Sequence, residues 1–324
     1  MSVRPATLQR IEEAHRFSAF YRGYLANHLP MALVALDHMG ADDARLARFE
    51  REHVKTHLEP IGNHPAFQSA VAQLAARIAK EGRDAVLGTE LDRLAPGIGS
   101  GAFHGAIRTA YALESGSERE MAHALAYWSL AFEPLPAPPE FTGRESPLEV
   151  LVSIARDRQF AKRRFPGNNI AERLKNAAKH SAFPGLVARV HPGKLSIDTL
   201  AAAVIRVYAA SNDFTVLHGV TGTHAFRLLA PHVADPEGAL AHLWQAVVAA
   251  YLGAGSPAAE GDALLGNGAL AWEQIHALAI QCSDEHDVKL AYSCWCEHAR
   301  TGDDLYRRVA SSRVCHAVRE TVAC

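Results

Sequence analysis

The sequence predicts an all-α protein, a single irregular multi-helix bundle spanning residues 1–324. Three observations carry this. Alanine and leucine dominate, and apolar residues recur three and four apart through most of the chain. No segment alternates apolar and polar residues convincingly over a strand's length. Proline, glycine and capping residues fall where helical runs begin and end. No fixed internal period recurs, so a bundle fits better than a solenoid.

In order, helices are expected at roughly 7–27, 30–39, 42–57, 65–80, 84–94, 102–115, 118–132, 146–157, 168–180, 196–210, 213–230, 236–253, 269–281, 285–300 and 303–321. Pro30 suits the first turn of its helix, where a missing N–H does no harm. Asp84 and Ser196 read as N-caps. Gly40, Gly82, Gly116 and Gly253 follow helical runs as C-cap glycines do. The stretch FEPLPAPPEFTGRESP (132–147) holds five prolines. It reads as an internal surface loop of one domain, because histidine-bearing helices lie on both sides of it.

Composition narrows the function. Hydrophobic residues make up 48% and charged residues 21%, as in an ordinary globular protein. Lys+Arg total 33 against Asp+Glu 35, a net charge of -2, and no basic run stands out. That argues against nucleic acid as a partner. No apolar stretch approaches the roughly 20 residues needed to span a bilayer, which argues against a membrane. The start, MSVRPATLQRIEEAHRF, reads as polar and helical, not as a signal peptide. Cys282, Cys294, Cys296, Cys315 and Cys324 are odd in number and crowded late in the chain. They read as reduced thiols of a cytoplasmic protein. Cys294 and Cys296 form CWC, the wrong spacing for a zinc CxxC pair.

Histidine is the unusual residue. The chain has 18, well above a common share of about 2–3%. Four lie in apolar settings. His28 sits in YLANHLPMALVAL, and His104 in AFHGAIRTAYALES with Arg108 and Tyr111 following at i+4 and i+7. His218 sits in NDFTVLHGVTGTHAFRLL, where Thr221 and Gly222 at i+3 and i+4 leave space above its face. His286 sits in SDEHDVKLAY, with Lys289 at i+3. His224 lies six residues beyond His218, about 240° around a helix, so the two cannot face one point. His218 has the smaller neighbours and is the better ligand candidate.

Read singly, each of these is more simply a core histidine with one ring nitrogen hydrogen-bonded. The chain has no HExxH, no GxSxG, no Walker loop and no GxGxxG. GIGSG (97–101) follows no strand and reads as a loop.

Taken together and in order, NHLPMALVAL with the following MGA, FHGAIRTAYALES, DFTVLHGVTGTHAFRLL and DEHDVKLAY resemble the signature segments of the questin oxidase-like family. The resemblance runs from about residue 20 to about residue 310. Fungal members act in anthraquinone and related polyketide pathways, on ring-opening oxidations described as Baeyer-Villiger-like. The resemblance implies an oxygenase that inserts oxygen into a quinone-type ring and cleaves it. It puts the family's histidines at His28, His104, His218 and His286, and its lysine at Lys289. Two departures bear on the substrate: LPMALVAL stands where fungal relatives often carry further histidines, and AIRTAY is more basic than its counterpart.

Imidazole ligands suit iron, copper, zinc or nickel. With no flavin motif, oxygen activation falls to a metal or to the substrate, and non-haem iron, Fe(2+), is the best fit. Four histidines form a neutral shell. Lys289 could add an anionic ligand: a buried lysine is partly neutral amine, which captures carbon dioxide as a carbamate. It could equally pair with Glu285 at i−4, or donate to a ligand from outside the shell. Asp284 and Glu285 read as the N-cap and a first-turn acid. Arg108, Tyr111 and His224 are candidates to supply a proton or steady an oxyanion. They are otherwise a surface cation, a core aromatic and a helix-face histidine. Glu114 is a candidate acceptor holding a ligand's tautomer. The expected partners are a small aromatic substrate and O2, with NADPH as a possible reductant. Other readings stay open: an NADPH-consuming oxidoreductase without metal, a non-catalytic helical binder of an aromatic ligand, and a zinc-stabilised structural protein.

Overall fold

Asp42, Ser146, Asn169, Ser196, Asp213, Asp235 and Asp284 each open a helix by accepting a backbone N–H from its first turn. These side chains satisfy donors that the helix itself cannot. The computed structural model describes residues 2–322 apart from 23, 24, 63, 263 and 267. Among them run sixteen α-helices and one short hairpin, so the protein is all-α. In chain order these are α1 (Pro5–Glu13), β1 (Phe20–Tyr21), β2 (Leu25–Ala26), α2 (Leu29–His38), α3 (Asp43–His57), α4 (Pro65–Glu81), α5 (Arg83–Leu94), α6 (His104–Ser115), α7 (Glu118–Leu130) and α8 (Pro147–Arg156). There follow α9 (Ile170–Ala178), α10 (Phe183–Val187), α11 (Ile197–Ser211), α12 (Phe214–Leu229), α13 (Pro236–Gly253), α14 (Trp272–Gln281), α15 (Glu285–Thr301) and α16 (Asp304–Val322).

The helix expected over 7–27 stops at Glu13, and a 3-10 turn and the hairpin replace its second half. The cause is non-local pairing. Ser18 N–H donates to Glu59 O, Ile61 N–H donates to Arg16 O, and Phe17 bridges Pro60. Those bonds take the backbone groups a helix would need. Asp84 lies within the first turn of α5, not ahead of it. Gly253 is the last residue of α13, and the left-handed turn residue is Gly255, at φ +88°. Gly40, Gly82 and Gly116 do adopt positive φ after their helices.

The chain sorts into two compact units interleaved in sequence. Unit 1 comprises Met1–Leu87, Ile107–Leu130 and Gly266–Cys324. In it α15 packs on α2 and α16, α14 on α16, and α4 on α7. Every residue of α2 from Leu29 to Asp37 is buried. The one charge among them, Asp37, is satisfied by Arg4 Nε and Thr7 Oγ1, both at 2.6 Å.

Unit 2 comprises Gly88–Ala106 and Ala131–Leu265. Here α13 packs on α9 and α12, and α11 on α12 and α8. Both α12 and α13 are buried on nearly all sides, which explains their apolar composition. Residues 131–146 carry no helix. They are tied down within unit 2: the N–H groups of Thr142 and Gly143 donate to Ala188 O, and Arg189 pairs with Glu145 at 2.7 Å. A Cβ on Gly143 would meet the Arg189 backbone, so only glycine allows the approach. No helix among the described residues is long and apolar enough to cross a membrane. Cys282, Cys294, Cys296 and Cys315 are free thiols, and Cys324 lies outside the described residues.

Candidate functional site

In unit 1, His28 immediately precedes α2. Asn27 does the capping: Leu29 N–H donates to Asn27 Oδ1 at 3.0 Å. The His28 ring therefore turns elsewhere, and its Nδ1–H donates to Glu285 Oε1 at 2.9 Å. His286, next along α15, meets His28 edge to face with ring centroids 4.8 Å apart. Asp284 both caps α15 and accepts from His286 Nδ1 at 2.8 Å. Burial raises the Asp284 carboxyl, but the hydrogen bonds from His286 outweigh it and hold the group well below its ordinary value. Asp284, Glu285 and His286 bring ligating atoms within 4.8 Å of one another.

Lys289 is 2% exposed, and its Nζ lies 3.3 Å from His28 Nδ1. It is no surface lysine of an i−4 pair. Burial pushes its pKa down to about 8, with Glu285 and Asp284 opposing. The alternative of a surface lysine paired with Glu285 does not fit, because α2 packs against α15 here and Lys289 is buried.

In unit 2, His104 is the first residue of α6 and follows Gly101, Ala102 and Phe103, all at positive φ. Left-handed backbone is rare for an alanine and strained for a phenylalanine. It lets His104 Nδ1–H donate to Gly101 O at 2.5 Å. His218 Nδ1–H donates to Phe214 O one turn back on α12, at 2.8 Å. The two rings meet edge to face with centroids 5.0 Å apart. The space expected above His218 is filled. A Cβ on Gly222 would lie 2.9 Å from the Phe103 ring, and one on Gly219 would lie 3.1 Å from Val204. These glycines serve packing, and Phe103 fixes the turn that delivers His104.

One pattern unites the two pairs. Each of the four Nδ1 atoms faces an oxygen that can only accept: a carboxylate for His28 and His286, a carbonyl for His104 and His218. An Nδ1–H facing such an oxygen is the arrangement that metal-ligating histidines use to present Nε2 to the ion.

The remaining candidates divide. Arg108, also in unit 1, is a buried cation. Its Nε and Nη2 donate to Glu120 at 2.8 and 3.2 Å, and His15 Nε2 meets the same carboxylate at 2.7 Å. Its Nη1 has no hydrogen-bond partner among the described residues. Tyr111 faces Tyr292, with ring centroids 5.9 Å apart. Burial, first, and the nearby Glu114 push its hydroxyl well above the usual tyrosine range. Glu114 accepts from the Tyr292 hydroxyl at 2.6 Å and holds none of the four histidines by a described bond. His224 is buried in α12 of unit 2.

Sequence reasoning missed two groups. Glu285 orients His28 through a separation of 257 residues, which no local pattern shows. His53 of α3 brings Nδ1 to 3.9 Å from Glu285 Oε2. Burial pushes the His53 imidazole down to about 4, with the Glu285 carboxylate opposing. Its place on the buried stripe Leu46, Phe49, His53 was a readable signal.

No curated protein matches the chain. The family described as Questin oxidase-like matches it over residues 25–294, which takes in all four histidines and Lys289. The chain belongs to the questin oxidase-like family.

Proposed function

We propose that the protein is an iron-dependent oxygenase that inserts oxygen beside a carbonyl of a quinone-type or polyketide aromatic ring, a Baeyer-Villiger-like oxidation in which one atom of O2 enters the ring, the other leaves as water, and NADPH supplies the two electrons. Family membership implies an oxidoreductase acting on a small molecule. The observation that carries the finer reading is the shared anchoring of four imidazoles through Nδ1, which leaves Nε2 as donor atom on each. His28, His104, His218 and His286 are the proposed ligands. A neutral, nitrogen-rich donor set fits a redox-active divalent ion. Bound iron(II) supplies the one-electron chemistry that lets dioxygen react with a closed-shell organic molecule.

Lys289 is proposed as a further ligand after carboxylation. With a pKa of about 8, roughly a tenth of it is neutral amine at pH 7, the form that captures carbon dioxide. The product would set a second carboxylate beside the buried Glu285, which is unfavourable without a cation close by. Asp284, Glu285 and the carbonyls of Gly101 and Phe214 hold the ring orientations. Tyr111, whose raised pKa keeps it protonated, donates a hydrogen bond to a substrate oxygen. Arg108 Nη1 and His224 are the proposed groups that steady charge building on the ring.

The test is elemental analysis of freshly purified protein together with oxygen uptake against a panel of hydroxyquinones, with and without NADPH. Stoichiometric iron and substrate-dependent uptake are expected. Turnover that survives chelators and demands NADPH would replace this reading with a metal-free oxidoreductase. Replacing His28, His104, His218 or His286 singly by Ala should abolish metal occupancy in every case, and a set in which only one or two do so would overturn the shell.

A further inference from the structure

Within unit 1, the face of α15 that carries His286 and Lys289 continues into a second polar cluster. Tyr292 and Ser293 follow Lys289 by three and four residues, so they lie on the same stripe one turn on. Ser293 is wholly buried, and its Oγ has the Tyr111 hydroxyl as its neighbour and no other hydrogen-bond partner among the described residues. Tyr111 of α6, 3% exposed, brings its hydroxyl within hydrogen-bonding reach of Ser293 and has no other partner among the described residues. Glu114, nearly one turn further along α6, receives the Tyr292 hydroxyl on Oε1, while Oε2 has no partner. His38 of α2 stacks on the Tyr292 ring, with centroids 5.5 Å apart and planes at 13°, and its Nε2 is also unpartnered.

Buried polar atoms in native proteins are nearly always paired. A single orphan is a local flaw. Here a Tyr111–Ser293 hydroxyl pair and two unpartnered atoms, Glu114 Oε2 and His38 Nε2, gather around one tyrosine, and they complement one another chemically. The hydroxyl pair has one proton left to donate, a carboxylate oxygen can accept, and the Tyr292 and His38 rings supply flat apolar surface. Glu114 and His38 are only half-buried, so the cluster reaches the surface of its unit. A ligand that pairs with all of these is planar, aromatic, and bears both a hydroxyl and an oxygen acceptor.

We propose that Tyr111, Glu114 and Ser293 form a subsite that reads the hydroxyl substitution of the aromatic substrate. Glu114 Oε2 accepts a hydrogen bond from the ligand's hydroxyl, and the Tyr111–Ser293 hydroxyl pair donates its remaining proton to a ligand oxygen. The Tyr292 hydroxyl bond fixes the Glu114 carboxyl in position, and His38 backs the Tyr292 ring. The subsite rests on the reading above for its aromatic substrate, but it assigns residues that lie outside the histidine and lysine set.

Metal-loaded protein, kept free of oxygen so that nothing turns over, is titrated with a dihydroxyanthraquinone and with unsubstituted anthraquinone. Quenching of tryptophan fluorescence reports binding. The native protein should favour the hydroxylated compound at least tenfold, since a site built to pair with a hydroxyl rejects the analogue that lacks it. Glu114→Gln keeps an acceptor for Tyr292 and turns the other atom into a donor. It should shrink the preference to within about twofold, with iron content and anthraquinone affinity unchanged. Tyr111→Phe and Ser293→Ala should shrink it in the same sense. They carry the test if thermal melting shows Glu114→Gln to be misfolded. A native protein that does not discriminate, or variants that weaken both compounds equally, would overturn the subsite. Discrimination by a protein with no iron and no oxygen uptake would overturn the oxygenase reading and leave the subsite standing. Iron and uptake without discrimination would do the reverse.

Discussion

Asp284 Oδ1 accepts two hydrogen bonds from His286, one from the backbone N–H and one from the ring Nδ1, each at 2.8 Å. One oxygen thus starts α15 and aims the imidazole. The two tasks separate by substitution. Asp284→Ala should lose about 0.5–2 kcal/mol of stability with the cap, and about 10–100-fold in metal affinity with the ring anchor. Asp284→Ser should restore the melting temperature and leave the metal affinity low. Recovery of both by serine would show that the ring needs no anchor.

The buried charges of unit 1 set its acid stability. Burial and the neighbouring His15 hold the His123 imidazole down to about 3, against 6.5 in a free chain. Between those values the unfolded chain binds a proton that the fold refuses, so stability falls as pH drops through the window. His123→Phe keeps a ring against His15, which stacks on it at 3.8 Å. It should flatten the loss of stability between pH 6.5 and pH 3 in denaturant titrations.

Glu120 works in the opposite sense. Burial alone would raise its carboxyl, but Arg108 and His15 outweigh that and hold it down to about 2. Its contribution is complete above an ordinary carboxyl pKa of about 4.5 and fades as pH falls towards 2. Glu120→Gln leaves Arg108 buried without its anion and should cost about 3–5 kcal/mol at neutral pH. The gap between variant and native protein should close as pH falls below 4.5. A gap that is constant with pH would mean that Glu120 acts by shape, not charge.

Gly222→Ala puts a methyl group 2.9 Å from the Phe103 ring. Overpacking of this kind is expected to cost about 1–3 kcal/mol. Because Phe103 sits directly before His104, metal occupancy should fall as well. Urea melts with an unchanged slope and a lower midpoint would fit, whereas an unaltered midpoint would mean that Phe103 yields freely.

Chelation should lower the melting temperature, and adding iron back should raise it progressively with concentration. A site filled at about a hundred times its Kd adds about 2.7 kcal/mol. Intact mass of the metal-loaded protein should show one added carbon dioxide, absent from Lys289→Met. A bare ammonium at Lys289 in metal-loaded protein would remove the carbamate from the scheme.

Much of this was legible in the residues, and the failures share a cause. Ser196 and Asp284 begin helices where their own side chains direct, because capping is a local bond. Residues 17–21 and 25–27 defied the helical pattern because their backbone partners are residues 59 and 60 and each other. The five-residue α10, FPGLV, is too short to show a period. At the site, the histidines could be picked from their apolar settings, but their acceptors could not. Glu285, the Gly101 carbonyl and Phe103 act through tertiary contact or strained backbone, which composition does not encode. Gly222 was misread for the same reason: a missing side chain in a sequence does not say what occupies the gap.

Glu285, the partner of His28, lies 257 residues further along the chain. During synthesis at about 5–20 residues per second, His28 emerges from the ribosome roughly 13–50 s before its acceptor exists. Through that interval α2, apolar on almost every side, has no α15 to cover it. The nascent protein thus has only α1 and α3 to lay against this greasy helix until translation is well advanced.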